Sequence, residues 1–317
     1  MTPQPSRLEQ IVWTALERGE IEPATAINGI ESGLLGGAAA LVPFTRHPVA
    51  AVRLAAVGAL ERRRREPPTL AFTLLGGFSV SRGSWRAEDA AWERRVAQRV
   101  VRFLLLHRSR LVTEDEILEI FWPERDVDGA RRSLHVAVSR ARAVLDIPRA
   151  PSVIETADRT YRLRLRPGDS VDADEFETTA HLAMTAHGIA RMRVLERAAS
   201  LWGGEPLPEE RYSDWALGWR ERLTDLYAAV LAALADGCLE RGDLAAAGRH
   251  ARDLVELDPL NEGGHRRLMV AYARAGRRNR ALRQFLACRR TLVEQLGVEP
   301  ATETARLQQR ILAGEPA

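Results

Sequence analysis

Between Pro67–Pro68 and Pro167–Gly168, the spacing of the hydrophobic residues changes from that of strands to that of helices and back to that of strands. Two short apolar runs come first, in TLAFTLLGGFSVSRG, and they meet at Gly76–Gly77, which predicts a pair of strands. Three segments with helical spacing follow, and SVIETADRTYRLRL then has the alternation of two strands joined by a turn at 157–159. The order strand–strand–helix–helix–helix–hairpin restricts residues 69–166 to very few folds.

The three predicted helices have readable limits. The first is WERRVAQRVVRFLLLH, from Trp92 to His107. TEDE at 113–116 opens the second as a capping box, in which Thr113 accepts from a backbone N–H and Glu116 reaches back, and Pro123 closes it. The third is GARRSLHVAVSRARAVLDI, residues 129–147. This order of elements is that of a winged helix with an N-terminal sheet, a variant of the helix-turn-helix.

The third helix has two chemically different sides. Residues at i, i+4, i+7 and i+11 form an apolar stripe that we expect in the core: Leu134, Val138, Ala141 and Leu145. The opposite faces present Arg131, Arg132, His135, Ser139, Arg140 and Arg142. Such a helix fits the major groove of DNA, where arginine donates bidentately to guanine. Other members of the set are expected to contact phosphates.

Positive charge is concentrated in this part of the chain. The net charge is +3, but residues 129–166 carry nine arginines against three acids, and residues 129–145 contain no acid to pair with their arginines. The predicted hairpin, or wing, has Arg159 at its turn and Arg162 and Arg164 on one strand face, where they can reach the DNA backbone or minor groove. The pattern predicts a surface for a polyanion. The alternative is an ordinary solvated helix face, since every cation in this lysine-free chain is arginine.

Residues 1–66 form a predicted helical extension. SRLEQIVWTALERG has the spacing of one helix face, and HPVAAVRLAAVGALERRRR repeats such a pattern after a glycine-rich break at 33–37. The run Arg62–Arg65 is expected to be the solvated end of a helix, with DNA contact as the alternative. Pro67–Pro68 predicts a boundary.

The chain beyond Pro167–Gly168 is predicted to be all-helical and repetitive. Gly242, Ala247, Ala251, Leu254 and Pro259 recur 34 residues later as Gly276, Ala281, Phe285, Cys288 and Val293. A period of 34 with small residues at helix crossings is typical of tetratricopeptide repeats. Arrays of this kind usually hold another protein or stack against themselves.

The residues that enzymes need are missing or scattered. The absence of lysine excludes a phosphate-loop lysine and a Schiff base. The histidines lie apart, without HExxH, and Cys238 and Cys288 are expected to be small buried residues. Asp172, Asp174, Glu175 and Glu177 are expected to form the first turn of a helix rather than a metal site. We therefore expect no enzyme activity, no cofactor and no metal.

The composition also bears on location. No apolar run approaches the ~20 residues that span a bilayer. The start, MTPQPSRLEQ, lacks the features of a signal peptide. The expectation is a cytoplasmic, nucleoid-associated protein that does not contact a membrane.

Several ordered motifs resemble one bacterial family. FTLLGGFSV, LLLHRSRLVTEDEILEIFWPERDVDGARRSLHVAVSRARAVL and VIETADRTYRLRL resemble the OmpR-like DNA-binding domain of SARP-type activators. VDADEFE, LWGGEPLPEE and SDWALGWRERL resemble the bacterial transcriptional activator domain that accompanies it, so the resemblance covers roughly 69–315. It implies that groove- or phosphate-facing positions are Arg132, Ser133, Val136, Ser139, Arg140 and Arg142, together with the wing arginines.

The resemblance also implies partners. They are double-stranded DNA, in the form of direct repeats near a promoter, and RNA polymerase, with the protein a homodimer on DNA. A repressor of the same fold, or a scaffold whose winged helix docks protein, are the alternatives. Residues 1–66 are not part of the usual short family member, and they could be a sensor, a dimerisation element or a dock for a partner.

The predicted fold is therefore mainly α. Its domains are a helical N-terminal extension (1–66), a winged helix-turn-helix with a small β-sheet and wing hairpin (69–166), and an all-α tetratricopeptide-like repeat domain (170–315).

Overall fold

The computed structural model describes residues 43–46, 50–65, 69–93, 95–148 and 150–316. They fall into two compact units, residues 1–68 with 147–150 and residues 69–146 with 151–317. In the first unit a 3-10 helix (Pro43–Arg46) packs against helix α1 (Ala50–Arg65). Phe44, Val52 and Ala56 are buried there. The helix predicted over residues 6–19, the glycine-rich break and the side chains of Arg62–Arg65 lie outside the described residues.

The second unit begins with a small sheet. Strands β1 (Ala71–Thr73), β2 (Ser79–Arg82) and β3 (Trp85–Arg86) are antiparallel neighbours, which confirms the predicted strand pair and adds a third member. The far edge of β1 is occupied by β7 (Ser170–Val171), which runs parallel to it. The strand order is β3-β2-β1-β7.

Three helices and a hairpin follow, as the pattern predicts. They are α2 (Arg95–Leu106), β4 (Val112–Thr113), α3 (Glu114–Phe121), α4 (Val127–Leu145), β5 (Ile154–Ala157) and β6 (Thr160–Leu163), and the sheet order is β4-β6-β5. The predicted start of α2 at Trp92 is wrong by three residues. Asp89–Trp92 forms a 3-10 turn, and Glu93 ends it with a left-handed φ of 55° before α2 begins.

The capping box at the start of α3 is half formed. The Thr113 hydroxyl accepts from the backbone N–H of Glu116 at 3.2 Å, as predicted. The Glu116 carboxylate does not reach back; it accepts from the Arg110 guanidinium instead, at 2.9 Å from NH1. The Arg110 guanidinium offers this carboxylate a full opposite charge and two N–H donors, whereas the backbone offers a single uncharged N–H, which explains the difference.

The rest of the second unit is an array of helices in which chain neighbours pack against each other. They are α5 (Asp172–Thr185), α6 (Gly188–Leu201), a 3-10 helix (Pro208–Glu210), α7 (Asp214–Glu240), α8 (Leu244–Leu257), α9 (Glu262–Arg274), α10 (Arg278–Leu296) and α11 (Thr302–Ala313). Gly242 and Gly276, 34 residues apart, end α7 and α9 with nearly equal left-handed φ values of 75° and 71°. Ala247 and Ala281 are both fully buried. The mainly α fold class is thereby confirmed.

The winged-helix elements and the first array helices share one interior. A single apolar cluster runs from Leu70, just before β1, to Leu234 in α7. The α7 residue Trp215 packs edge-on against Phe103 of α2, with ring centroids 5.5 Å apart. Asp172, the first residue of α5, accepts the backbone N–H groups of Leu74 and Leu75 at 2.8 and 3.1 Å. The segment at 167–168 is therefore a turn beside a continuous core.

Two further sequence predictions concern residues in this array. Cys238 and Cys288 are buried and free, as predicted, and burial raises the pKa of the Cys288 thiol to about 11. Asp172, Asp174 and Glu175 lie in the first turn of α5, as predicted. Glu177 lies beyond the first turn, where its carboxylate accepts from Nε of Arg222 at 3.4 Å. Among the described helices, none combines the length and apolar character that a membrane crossing needs.

Candidate nucleic-acid interface

Helix α4 has one face in the core and the other in solvent. The predicted core stripe is confirmed, since its four members are at most 3% exposed: Leu134, Val138, Ala141 and Leu145. Asp126 caps the helix by accepting from the backbone N–H of Gly129 at 2.7 Å. The core contacts and the cap fix the direction of the helix and the side it presents to solvent.

Five side chains form what we term the exposed α4 face: Arg132, His135, Val136, Ser139 and Arg140. Val136 is 41% exposed. Arg132 has no hydrogen-bond or ion-pair partner within the described part of the chain. Together they offer guanidinium and ring donors, a hydroxyl and methyl groups, the groups that read base edges in a major groove.

Ser133 lies beside this face, but its hydroxyl is already hydrogen-bonded within the protein. Its hydroxyl donates to the Gly129 carbonyl at 2.9 Å and accepts from NH1 of Arg125 at 2.8 Å. Arg125, in the loop before α4, was missed by sequence reasoning. Its position just before the cap residue Asp126 was a usable signal, because the cap places Arg125 next to the first turns of α4.

Glu114 is a buried carboxylate that joins α3, α4 and the wing. It accepts from Nε of Arg131 at 2.7 Å and from NH2 of Arg159 at 3.0 Å. Nε2 of His135 lies 3.8 Å from its other oxygen. The side chain of Glu114 is only 5% exposed, so the two guanidinium groups compensate the cost of burying its charge.

The pKa of Glu114 reflects this balance. Burial acts to raise the pKa, but the hydrogen bonds and charges of Arg131 and Arg159 outweigh it, and the pKa lies below its ordinary value. The same contact raises the pKa of Arg131. Glu114 and Arg131 are therefore both ionised near neutral pH. Their contacts, with the bond from Arg159 to Glu114, hold the wing against α4.

The structure corrects one step of the sequence reasoning. Residues 129–145 contain no acid, but their arginines are not all unpaired. Arg131 pairs with Glu114, and NH1 of Arg140 lies 2.8 Å from Oε1 of Glu93. Both acids come from other elements, 17 and 47 positions away in sequence. Folding brings them close, and a count within one helix could not include them.

Arg142 acts inside the protein. Its NH2 donates to the Ile154 carbonyl and to the Thr156 hydroxyl, each at 2.7 Å. Both acceptors belong to β5. Arg142 therefore fastens α4 to the wing, and its guanidinium has fewer free donors for DNA than the sequence suggested.

The wing arginines divide between two faces. Asp158 and Arg159 form the turn with positive φ values of 45° and 57°, the conformation of a type I′ hairpin turn. Arg159 bends toward Glu114, whereas Arg162 and Arg164 both pair with Glu155 at 2.9 and 3.1 Å. The alternating side chains of β6, Tyr161 and Leu163, are buried. Arg162 and Arg164 therefore lie on the wing face away from the core and do not join the Glu114 group.

Comparison with known proteins identifies the family. Residues 95–163 match the family "Transcriptional regulatory protein, C terminal", and residues 171–312 match the "Bacterial transcriptional activator domain". The regulatory protein AfsR of Streptomyces coelicolor is 33% identical over 68% of this chain. This chain belongs to the SARP family of bacterial transcriptional activators. The families matched are those of transcription regulators, not of enzymes.

Other relatives of this SARP-family chain differ in length. It spans 22% and 25% of the AfsR proteins of Streptomyces coelicolor and Streptomyces griseus. It covers 85% of the regulatory protein DnrI of Streptomyces peucetius, at 26% identity over 70% of this chain. A solved structure, Mycobacterium tuberculosis EmbR in complex with a low-affinity phosphopeptide, is similar with a TM-score of 0.65 and 25% identity, over 79% of this chain and 67% of EmbR.

Proposed function

We propose that this transcription regulator is a sequence-specific DNA-binding activator whose exposed α4 face enters the major groove. It binds direct repeats at a promoter as a homodimer and recruits RNA polymerase. In this proposal residues 69–166 contact DNA, residues 170–315 contact protein, and residues 1–66 are an accessory extension. One observation carries the proposal: a helix held rigidly by its core stripe presents Arg132, without a partner in the described residues, among other side chains that can read bases.

The contacts suggest that some candidate residues read bases and others contact phosphates. Arg132, Val136 and Ser139 would read base edges, with the Val136 methyl groups suited to a thymine methyl. Arg140 is 46% and Glu93 53% exposed. Exposed ion pairs contribute only about 0–1 kcal/mol, so exchanging Glu93 for a phosphate costs little.

The group of Glu114, Arg131 and Arg159 would position the protein on DNA without reading its base sequence. Arg131 and Arg159 are oriented by Glu114 and keep donors that point to solvent, since their side chains are 32% and 60% exposed. Contacts from such groups to phosphates fix register on the duplex. Arg142 would support this arrangement through its hydrogen bonds to β5. Arg162 and Arg164 would add only long-range electrostatic attraction to DNA.

Genome-wide mapping of bound DNA tests the proposal, followed by binding of the recovered site and of a random duplex over a range of salt. We expect the recovered site to bind more tightly, with log K falling by about 0.9 per phosphate contact for each unit of log salt. Binding to neither duplex at low salt would contradict the proposal and would favour the alternative in which the winged helix docks protein. Transcript levels after deletion separate the remaining alternatives, because target genes fall for an activator and rise for a repressor.

A further inference from the structure

A second arginine-rich surface lies far along the chain from the exposed α4 face. Residues 263–293, which span most of α9 and α10, contain nine arginines and no acid. Residues 167–317 as a whole carry more acids than arginines, 23 against 20, so the positive charge of this segment is opposite in sign to the net charge of the region around it. The proposed DNA contact of α4 does not account for it.

Some of these arginines have structural partners. Arg267 forms two hydrogen bonds of 2.8 Å with Asp236, and Arg289 forms bonds of 2.6 and 2.7 Å with Glu299. Four others are exposed, and their side chains have no hydrogen bond or ion pair to any described residue: Arg277, Arg280, Arg283 and Arg290. This part of α10 therefore carries uncompensated positive charge.

Large apolar side chains alternate with two of these arginines. Arg283, Leu286, Arg290 and Val293 follow one another at spacings of three, four and three residues, so they share one helix face. Leu286 is 58% and Val293 44% exposed. The opposite face of α10 is in the core through Ala281, Phe285, Cys288 and Leu292. We term the outward stripe the α10 stripe.

The mixture of charge and apolar area limits what the α10 stripe can bind. Phosphates would be served by the arginines alone, and exposed leucine and valine would add nothing to a backbone contact. A solvated surface gains nothing from two large exposed apolar side chains beside unpaired cations. Protein interfaces, by contrast, combine arginine with apolar groups at their centres, and a helix is recognised by anchors at i, i+3 and i+7.

We propose that the α10 stripe is a docking site for an acidic amphipathic helix of a partner protein. The partner's apolar side chains would cover Leu286 and Val293, and its Asp or Glu side chains would pair with Arg283 and Arg290, with Arg277 and Arg280 supplying attraction at one end. This proposal rests on the part of the proposed function in which residues 170–315 contact protein, but it does not depend on DNA binding, so the two can fail separately.

Fluorescence anisotropy with the full chain and a synthetic peptide tests the site. The probe is a helical peptide with leucine at i, i+3, i+7 and i+10 and glutamate on the flanking positions; the comparison peptide has the same composition in scrambled order. The probe should bind at least about tenfold more tightly than the scrambled peptide, and added salt should weaken it.

The variants assign the binding to this surface. The double substitution Arg283→Gln with Arg290→Gln, and separately Leu286→Ser, should each weaken probe binding by about tenfold or more. Arg249→Gln, at an exposed arginine of α8 without a partner among the described residues, is the matched control and should change nothing. All four positions are exposed, and unchanged thermal unfolding verifies that each variant folds.

Several results would overturn the proposal. Equal binding of the two peptides would show that the stripe attracts any negatively charged peptide and does not recognise an amphipathic helix. Displacement of the probe by random duplex DNA, with loss of that DNA binding in the double variant, would make it a nucleic-acid surface. Self-association abolished by Leu286→Ser would make it an interface between copies of this chain. Absence of probe binding would leave no docking site of this kind.

Discussion

NH1 of Arg102 donates to Oε1 of Glu210 at 2.6 Å, and the two side chains are only 6% and 1% exposed. The pair joins α2 of the winged helix to the 3-10 helix that precedes α7. The Ser213 hydroxyl donates to the second oxygen of Glu210 at 2.6 Å, and Gln98 accepts from NH2 of Arg102 at 2.9 Å. A polar network thus continues the apolar core that the two parts share.

Removing one partner of this pair should destabilise the whole second unit. Arg102→Met leaves the buried Glu210 carboxylate with Arg99, whose Nε lies 3.2 Å from Oε2, as its remaining cation. We therefore expect a cost of about 3 kcal/mol of unfolding free energy in urea titrations, at the low end of the range for a broken buried ion pair. The double change Arg102→Met with Glu210→Leu should recover most of the loss, because no buried charge remains. Arg289→Met breaks an exposed pair and, as the control, should cost less than about 1 kcal/mol. If Arg102→Met were as mild as this control, the network would not join the two parts.

Glu114 should give the winged helix a specific acid sensitivity. Its folded-state pKa lies below the ordinary value, so its stabilising effect is complete above an ordinary glutamate pKa of about 4.3 and is lost as pH falls through the lower folded-state pKa. The free energy of unfolding should therefore fall more between pH 6 and pH 3 in the wild type than in Glu114→Gln. Glu119→Gln, exposed on the same helix, is the control and should follow the wild type. Parallel curves for Glu114→Gln and the wild type would contradict the role of Glu114.

Gly76 should tolerate no side chain, because the first sheet contacts the array there through backbone alone. A Cβ at Gly76 would lie 2.3 Å from the Gly203 carbonyl oxygen, and φ is +81°. We expect Gly76→Ala to cost about 2–4 kcal/mol in denaturant unfolding, from left-handed strain and overpacking together. Gly83 has a similar φ of +61° but nothing within 4 Å, so Gly83→Ala isolates the strain at about 1–2 kcal/mol. Equal costs would mean that the approach of Gly203 does not constrain the sheet.

The elements of the fold were readable because their signals are local. The core stripe of α4, the cap at Thr113 and the 34-residue spacing of Gly242 and Gly276 each depend on residues within one or two helices. Strand β7 was not predicted, since two residues carry no periodicity and their pairing with β1 spans about a hundred positions. The shared core was missed for the same reason.

The candidate site was predictable in part. Sequence identified the residues of the exposed α4 face and the turn position of Arg159. It could not pair Arg131 with Glu114 or Arg140 with Glu93, because both acids lie on other elements. The pair of Arg131 with Asp128, three residues earlier in α4, is local. It also could not divide the wing arginines between two faces, which depends on the register that sets Glu155 opposite Arg162.

Arg132 provides the most direct test of the central claim that α4 reads DNA sequence. The measurement is the ratio of affinities for the recovered site and a random duplex at one salt concentration, in the wild type, Arg132→Ala and the control Arg162→Ala. We predict that Arg132→Ala lowers this ratio by about 5- to 150-fold, the equivalent of one lost base contact of about 1–3 kcal/mol. Arg162→Ala, at an arginine held by Glu155 on the outer wing face, should leave the ratio unchanged. An unchanged ratio in Arg132→Ala would contradict the claim that the exposed α4 face reads bases.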